Sequence, residues 1–410
     1  MPLTFMDAVE VCRCLGIEFL WVDSLCIMQD SENDWLTQSG KMCEYYSNSW
    51  ITIAADGAAD STQGFLRDQK RKLNVRRFEC PGEDGGLSQI CVRRKGGNID
   101  TFHHHVWSGP QQSALTYRGW TLQESILSPR ILHYTAEEVT WECLVESRCE
   151  CQVQPHSLNG LKMEIQNVSF NRKWSMIIDH YSHRNLTDQT DKLIAISGLA
   201  RLLQAQTTSS YFAGLWSDQF PEALLWMTYD YNGFEKYRPS QRILQYQAPT
   251  WSWASVTGRI ILASSSTSFV SDLEIVNISV VPLGKDLYGP LKGASIIARG
   301  YIAPVTVVDS SSGVSARPKD KFQILSQTKF QGEYLGGAVI ADVHGTNEEI
   351  HPEQPYWVLF IGHSVSWSGL LLSKDHTSCS SYRRVGRLDG EYTDYPKWMT
   401  LATREEIELV

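Results

Sequence analysis

The sequence contains few cysteines and little positive charge for its length. Ten cysteines in 410 residues are too few for a disulfide-stabilised scaffold, so we expect reduced thiols and an intracellular, cytoplasmic protein. The formal net charge is -9, whereas nucleic acids and anionic membrane surfaces are bound by clustered Lys and Arg. We therefore expect neither nucleic acid nor a membrane among the partners of this protein.

Long apolar runs, a leader segment and a metal-binding pattern are also missing. No apolar run approaches the roughly 20 residues of a membrane span, and no secretory signal precedes residues 2–5. The histidine run at 103–105 consists of adjacent residues, which would point to opposite faces of a strand. A second candidate zinc set is Cys143, Cys149, Cys151 and His156. Its Cys-Glu-Cys spacing lacks the two-residue gap that lets paired thiolates converge on one ion, so no metal site is expected.

The composition is that of a globular protein with more than one domain. Hydrophobic residues make up 42% and charged residues 20% of the chain, and 410 residues exceed the size of one ordinary core. The pattern of elements predicts an α/β domain over 1–155 with an insertion at about 57–115, a helical segment over 156–247 and a β-rich domain over 248–410. Within the helical segment, a Trp-rich helix is predicted at 215–229.

A stretch near the N-terminus has the pattern of a strand, a helix and a second strand. Residues 17–22 form a short, almost wholly apolar run, and a helix is expected at about 32–46. Residues 50–55 are again rich in β-branched and aromatic side chains. Such a unit has parallel strands, and ligands lie beyond the carboxyl ends of parallel strands. Asp23 and Ser24 directly follow the first strand, which makes them candidate site residues.

A second polar cluster is the segment RGWTLQE at 118–124, which is followed by Pro129. Thr121 and Glu124 have the spacing of a capping box, in which each side chain bonds to a backbone N–H at the start of a helix. Pro129 ends the predicted helix, since proline cannot continue it. On spacing alone, Glu124 is therefore a helix-capping carboxylate.

Four aromatic residues of these segments are predicted to be mostly buried. Each lies in an apolar strand or on the apolar face of a helix, and the burial of large rings contributes heavily to a protein core. They are Trp21, Trp35, Tyr46 and Trp120.

Taken together and in this order, these motifs resemble the fungal heterokaryon-incompatibility (HET) domain. The resemblance is carried by GIEFLWVDSLCI at 16–27, Asp34-Trp35, Met42, Tyr46-Ser47-Asn48, RGWTLQE and Ser128-Pro129-Arg130. Further motifs that recur in that family are YSHRNLT, DKLIAISGLA, AGLW and APTWSWAS. The resemblance therefore extends over nearly the whole chain.

The resemblance implies a protein of self/non-self recognition whose HET domain triggers the death of fused, incompatible cells. The HET domain is also distantly similar to the Toll/interleukin-1 receptor (TIR) fold, some members of which cleave NAD. A TIR-like or flavodoxin-like parallel sheet, NAD as a substrate rather than a bound cofactor, and a protein partner or self-association are implied in turn. In this comparison the Trp-x-x-x-Glu of residues 120–124 occupies the place of the catalytic glutamate helix. A carboxylate there can stabilise a ribosyl cation as nicotinamide leaves.

The candidate catalytic residues are thus Glu124 and Asp23, in an NAD glycohydrolase-like hydrolase. The candidate binding residues lie beside them in the same motifs: Ser24, Cys26, Arg118, Trp120, Gln123 and Arg130.

Two departures from the family pattern bear on this activity. Family members usually begin with a strand carrying a Tyr-x-Ala-Leu-Ser-Tyr-x-Trp-Gly pattern, and this chain starts after it, so the domain is expected to be truncated at its N-terminus. Residue 38, often Glu in the family, is Gln38 here. Two alternatives therefore stay open. One is an enzyme of secondary metabolism that reuses the fold with Asp23, Cys26 or Glu124 as acid, base or nucleophile. The other is a non-catalytic interaction protein.

Overall fold

The structure is a computed structural model, and two compact units, Met1–Asn167 and Val168–Val410, divide the chain. It describes residues 1–66, 75–81, 86–93, 113–136, 139–150, 161–229, 239–263, 268–309, 326–330, 333–343, 350–351, 354–375 and 380–410. The histidine run at 103–105 lies outside these residues. Within them, no helix combines the length and the apolar character needed to cross a membrane.

The described residues of the first unit form five α-helices and six strands. The helices are α1 (Leu3–Cys14), α2 (Asp23–Cys26), α3 (Glu32–Ser47), α4 (Trp120–Leu127) and α5 (Leu161–Glu164). The strands are β1 (Thr52–Ala54), β2 (Val75–Pro81), β3 (Leu87–Arg93), β4 (Arg130–Tyr134), β5 (Val139–Cys143) and β6 (Ser147–Cys149). A short 3-10 helix at Leu115–Tyr117 precedes α4.

The main sheet of this unit has the strand order β1-β4-β5-β6. β1 and β4 are parallel, with Ile53 opposite Leu132, whereas β4, β5 and β6 are antiparallel neighbours. β2 and β3 form a separate antiparallel hairpin. The unit is thus a mixed α/β structure and differs from the purely parallel sheet that we predicted. The reason is the short connection from β4 to β5, which permits only antiparallel pairing.

Residues 17–22, predicted as the first strand, pair with no strand in the described part of the chain. Phe19 is 87% exposed, so the segment is not covered on both faces as a buried strand would be. Leu20 packs against the small core that contains Val11 and Phe65. The strand prediction was wrong because an apolar run becomes a strand only beside a partner that completes its hydrogen-bond ladder.

Helix α3 confirms the prediction of a helix at about 32–46. Ser31 is its N-cap, and the Ser31 side chain accepts a hydrogen bond of 3.2 Å from the Asp34 backbone N–H. The strand predicted at 50–55 is confirmed by β1. Helix α3 and β1 therefore place Tyr46 one short turn before the parallel strand pair.

The described residues of the second unit form three α-helices and thirteen strands. The helices are α6 (Phe170–Ser182), α7 (Ser197–Gln204) and α8 (Tyr395–Leu401). The short strands are β7 (Tyr211–Phe212), β8 (Leu215–Trp216), β9 (Met227–Thr228), β10 (Ile260–Ile261) and β11 (Val270–Ser271). The long strands are β12 (Glu274–Pro282), β13 (Leu291–Asp309), β14 (Ser326–Phe330), β15 (Glu333–Ala341), β16 (Pro355–His363), β17 (Ser366–Lys374), β18 (Ser381–Glu391) and β19 (Thr403–Leu409).

Six of the long strands form a closed antiparallel circuit, and this confirms a β-rich C-terminal region. The order is β13-β14-β15-β18-β17-β16, and β16 pairs with β13 again. Along β13, Ala303, Val305 and Val307 alternate toward the core, as the two-residue period of a strand requires. Trp398 of α8 packs inside the same core against Phe360, with ring centroids 5.7 Å apart.

The Trp-rich helix predicted at 215–229 is wrong. The chain forms β8, two 3-10 turns and β9 there instead. Pro221 lacks a backbone N–H and interrupts any continuous helix, and Gly214 before it adopts a φ of 94° that favours glycine. Trp216 and Trp226 are fully buried, so the run is apolar because the core surrounds it rather than because one helical face is buried.

Candidate functional site

Tyr46, in the last turn of α3, interacts with three of the predicted site residues. Its hydroxyl group forms a side-chain hydrogen bond with the Glu124 carboxylate. The charges of Asp23 and Arg118 also act on the same hydroxyl group. Two segments therefore act on Tyr46: the turn at α2, through the charge of Asp23, and the RGWTLQE segment, through Arg118 and Glu124. Tyr46 was not among the residues predicted for the site.

The pKa of Tyr46 lies well above the usual range for tyrosine. Burial of the phenol is the largest cause, and the negative charges of Glu124 and then Asp23 add to it, followed by the hydrogen bond to Glu124. The positive charge of Arg118 opposes the shift. Tyr46 is therefore a neutral hydrogen-bond donor at physiological pH, and the Glu124 carboxylate accepts its hydrogen bond.

Aromatic rings lie around this site and are mostly, but not completely, buried. Trp21 contacts the rings of Tyr45 and Tyr46, with centroids 5.0 Å and 5.8 Å apart. Trp35 of α3 meets Trp120 of α4 edge to face at 6.3 Å. The prediction that these rings are mostly buried is confirmed; they pack at the contacts of α3 with its neighbours and keep only a minor part of their surface in solvent.

Gln38 connects two side chains of α3. Its amide Nε2 donates to Asp34 Oδ1 at 3.2 Å, and its Oε1 accepts a hydrogen bond of 2.5 Å from the Tyr45 hydroxyl. Asp34 in turn accepts from the Met28 backbone N–H at 2.8 Å, and this bond, followed by the one from Gln38, holds the pKa of Asp34 below its usual range. A glutamate at position 38 would face the Asp34 carboxylate, so the glutamine suits this arrangement.

Glu124 does not take part in the predicted capping box. The N-cap residue of α4 is Gly119, and Thr121 lies inside the helix. The Thr121 hydroxyl donates to the backbone carbonyls of Leu115 and Arg118, at 2.5 Å and 2.8 Å. The capping interpretation was wrong because the helix begins one residue before Thr121, so the pair occupies the wrong positions for it.

Asp23 and its neighbours lie on an exposed turn. Asp23 is the first residue of α2, and its carboxylate accepts the Ser24 backbone N–H at 2.7 Å. Ser24 itself is exposed. Cys26 is exposed as well, and its sulfur accepts a hydrogen bond of 3.5 Å from the Val22 backbone N–H. The carboxyl-end argument for Asp23 does not hold, since residues 17–22 are not a paired strand.

Three further predicted binding residues occupy different surroundings. Trp120 is half-buried beside Trp35, as described above, whereas Gln123 is fully buried on the inner side of α4. Arg130 lies at the start of β4, where its guanidinium donates to the Trp50 carbonyl at 3.2 Å and covers the Trp50 ring at 6.0 Å. Arg130 is thus engaged with Trp50.

A buried ionic array that the sequence analysis did not identify lies in the same unit. His133 of β4 is held between two carboxylates: Nδ1 is 2.7 Å from Asp56 Oδ2, and Nε2 is 3.3 Å from Glu142 Oε2. The alternation of β4 and β5 turns His133 and Glu142 to the same buried face. We name Asp56, His133 and Glu142 the histidine array.

Both ends of the imidazole face negative charge, and this controls its protonation. Burial opposes a charge on His133, but the hydrogen bonds and charges of Asp56 and Glu142 outweigh it and raise the pKa of His133 to about 9. Burial likewise opposes the charge of Glu142, yet the His133 hydrogen bond and the charge of Lys162 hold the pKa of Glu142 below its usual range. The array is therefore a buried imidazolium between two carboxylates at neutral pH.

One signal in the sequence could have revealed the array. His133 and Glu142 stand at inward positions of two predicted apolar strands, and Asp56 directly follows a third. Charged residues are rarely buried unless they are paired, so inward-facing polar residues on neighbouring strands suggest a shared partner.

No group of three or more His, Cys, Asp or Glu side chains in the described part of the chain is arranged to hold a metal ion. Of the zinc set considered above, Cys143 is a partly buried free thiol on β5. Cys151 and His156 lie outside the described residues.

Comparison with protein families gives one match. Residues 1–124 match the family described as heterokaryon incompatibility protein (HET). The match ends at Glu124 and includes Asp23, Tyr46 and Arg118, so every residue found at the Tyr46 hydroxyl lies within it. Searches among curated proteins and among solved structures found no match.

Proposed function

This chain carries a heterokaryon-incompatibility domain over residues 1–124, and on that premise we propose that it is an effector of self/non-self recognition that causes the death of incompatible fused cells. The proposed activity is cleavage of NAD at the site formed by Tyr46, Glu124, Asp23 and Arg118. The observation that supports the proposal is that Glu124 forms a hydrogen bond with the Tyr46 hydroxyl while the charges of Asp23 and Arg118 act on the same group. A carboxylate, a neutral phenol and a guanidinium together can bind a charged nucleotide and stabilise a cation.

The proposed reaction breaks the bond between the nicotinamide nitrogen and C1 of the ribose. Nicotinamide leaves as a neutral molecule with the bonding electron pair, and positive charge develops on the ribosyl carbon. The Glu124 carboxylate stabilises that charge, while the Tyr46 hydroxyl holds the carboxylate in place. Water then adds its oxygen to the carbon and loses a proton to Glu124, from which the proton passes to solvent.

Other groups of the site suit the remaining parts of a dinucleotide. Arg118 is an exposed guanidinium, the side chain best matched to a phosphate. The rings of Trp21 and Trp120 keep part of their surface in solvent and can stack on a flat base. The TIR-like arrangement is part of this proposal, and the parallel pair β1 and β4 with Glu124 on the preceding helix supports it.

A cytoplasmic location and a protein partner also belong to the proposal. Exposed apolar side chains close to Asp23 in the sequence support a partner, since exposed apolar surface often marks a contact site. They are Phe19, Leu25 and Met28.

The test is nicotinamide release from NAD by the purified full chain, combined with toxicity on expression. Glu124→Gln removes the negative charge at constant size and should abolish both. Glu44→Gln is the matched control, because Glu44 is an exposed glutamate on the same helix as Tyr46. Its release and toxicity should equal those of the wild type.

Two outcomes would count against the proposal. Toxicity that occurs without nicotinamide release and persists in Glu124→Gln would show that the chain acts by signalling through assembly and not by catalysis. A wild-type chain that neither kills cells nor releases nicotinamide would overturn the effector function and leave a non-catalytic interaction protein.

A further inference from the structure

The segment from Ser113 to Ser128 carries the candidate site, and both of its ends are tied to the histidine array. Arg118 and Glu124 lie on this segment, between the two ties. The first tie is made by the Ser113 hydroxyl, and the second by the Ser128 backbone carbonyl through Lys162. The position of Glu124 relative to Tyr46 therefore depends on what the two ties hold.

The first tie is made by Ser113. Its hydroxyl donates to Asp56 Oδ1 at 2.6 Å and accepts the Thr116 backbone N–H at 3.3 Å. The other carboxylate oxygen of Asp56 is 2.7 Å from His133 Nδ1. One carboxylate thus holds the imidazole and the start of the 3-10 helix that leads to Arg118.

The second tie is made by Ser128, which is fully buried after the last turn of α4. Its hydroxyl donates to the Glu124 backbone carbonyl at 2.7 Å and lies 2.6 Å from the Thr52 hydroxyl on β1. Its own carbonyl accepts a hydrogen bond of 2.7 Å from Lys162 Nζ. The buried Lys162 ammonium also interacts with the Glu142 carboxylate, which completes the connection to the array.

We propose that Asp56, His133 and Glu142 are positioning residues that hold Glu124 against Tyr46 by fixing both ends of the segment between them. The imidazole must be charged to hold both carboxylates, because each ring nitrogen faces a carboxylate oxygen and only the doubly protonated ring donates to both. Because the charges of the histidine array are buried and hydrogen-bonded to one another, they hold the groups bonded to them in one arrangement. The role in catalysis rests on the proposed function, whereas the role in placing Glu124 does not.

A readout that is independent of activity tests the placement. The Tyr46 hydrogen bond to a carboxylate affects the chemical shift of its ring carbon Cζ, which can be followed by NMR in 13C-tyrosine-labelled protein at pH 7. The signal is assigned by its loss in Tyr46→Phe, and Glu124→Gln supplies the reference without the carboxylate. Asp56→Asn should move the Tyr46 signal toward that reference, because the amide keeps the size but loses the charge that holds His133.

Ser113→Ala is the second variant and guards against a failure to fold. It removes the first tie but leaves the three charged groups of the array in place, so it should fold and still move the Tyr46 signal. Asp60→Asn is the matched control, since Asp60 is an exposed aspartate four residues from Asp56. Its Tyr46 signal should equal that of the wild type.

If the wild type releases nicotinamide, Ser113→Ala should lower kcat by about 10- to 100-fold with little change in KM, as expected when a reacting group is misplaced by an ångström or less. If the wild type releases none, the proposed function fails and the NMR shift still decides the placement. A Tyr46 signal unchanged in folded Asp56→Asn and Ser113→Ala would overturn the proposal.

Discussion

Each unit of this protein contains a buried cation that faces carboxylate, and the two clusters differ in how fully their polar atoms are hydrogen-bonded. In the first unit, His133 faces Asp56 and Glu142 across the histidine array. In the second unit, Arg384 faces Asp342 through two parallel bonds, Nε to Oδ2 at 2.9 Å and a terminal nitrogen to Oδ1 at 2.8 Å. Both cations are almost wholly removed from solvent.

The arginine cluster satisfies its cation from every side. Besides the two bonds to Asp342, the guanidinium donates to the backbone carbonyls of Leu224 and Trp226, at 2.5 Å and 2.6 Å. It also stacks on the Trp226 ring at 3.5 Å. Burial lowers the pKa of Arg384 to about 10, but the arginine stays charged at neutral pH. The cluster is a permanent support for the chain from β8 to β9.

The histidine array is less complete and can change its charge. The second carboxylate oxygen of Glu142, Oε1, has no hydrogen-bond partner within the described residues. The imidazole also loses its proton in the mildly alkaline range, where a guanidinium does not. Similar buried charges thus serve two purposes in this protein, a fixed support in the second unit and an adjustable one in the first.

The largest expected effect comes from breaking the permanent support. Arg384→Ala removes both of these bonds from the buried Asp342 carboxylate, and the guanidinium of Arg242 lies farther away, at 3.6 Å. Breaking a buried ion pair from one side typically costs about 3 to 5 kcal/mol, and we expect the second unit to lose that much stability. The measurement is the urea midpoint of the Leu371 methyl NMR signal in β17. An unchanged midpoint would show that the cluster does not support the fold.

The next effect is a pH dependence confined to the first unit. The folded pKa of His133 is raised from 6.5 to about 9, so its contribution is fully present below about pH 6.5 and is lost as pH rises through about 9. The loss should be on the order of 3 kcal/mol, at roughly 1.4 kcal/mol per pKa unit. Urea titrations of the Ile131 methyl signal between pH 6 and 9 measure it.

His133→Gln should lower the stability of the first unit at pH 6.5 and flatten this profile. The urea midpoint of the Leu371 signal in the second unit should depend on pH as it does in the wild type. A wild-type profile that rises between pH 6.5 and 9 would contradict the assigned sign of the shift.

A smaller effect tests an uncharged part of the same network. Ser128→Ala removes the hydroxyl that joins the Glu124 carbonyl to Thr52, and it leaves the charges of the array unchanged. The loss of one buried hydroxyl bridge should cost about 1 to 2 kcal/mol at the Ile131 signal, independent of pH. A loss that grows with pH would indicate that the hydroxyl and the imidazole titration are coupled.

The smallest effect is expected from an exposed pair of the second unit. Arg404 lies 3.5 Å from Glu274, and both side chains are 52% exposed. Arg404→Ala should change the stability at the Leu371 signal by less than about 1 kcal/mol, because solvent screens exposed ion pairs. A cost as large as that of Arg384→Ala would show that burial does not explain the difference in stability contribution between the buried and the exposed ion pair.

The parts of the fold that the sequence predicted well are those with a strong local period. Helix α3 has a matched N-cap and an amphipathic pattern, and β5 occupies residues 139–143 as predicted. The C-terminal strands, such as β16 and β18, also fall where runs bounded by Gly, Ser and Asp turns indicated them. Local pattern is enough in these cases because each element is stabilised by the face that its own sequence defines.

The errors arose where a partner distant in sequence decides the structure. Residues 17–22 have the composition of a strand but have no ladder partner within the described residues. Residues 215–229 are apolar because the core encloses them, which periodicity cannot distinguish from a buried helix. The sequence likewise could not show that Tyr46 lies at Glu124, since spacing along the chain contains no distance between segments. The functional roles of Asp23 and Glu124 stay predictions.

The bond from Ser113 to Asp56 also bears on how this domain tolerates changes in length. It joins two residues that are 57 positions apart in the sequence at a distance of 2.6 Å, so the chain between them is a loop closed at its base. The entropy cost of such a loop grows only by about 0.6 kcal/mol for each doubling of its length. Insertions and deletions between the two residues can therefore accumulate in evolution while the segment that carries Glu124 keeps its place.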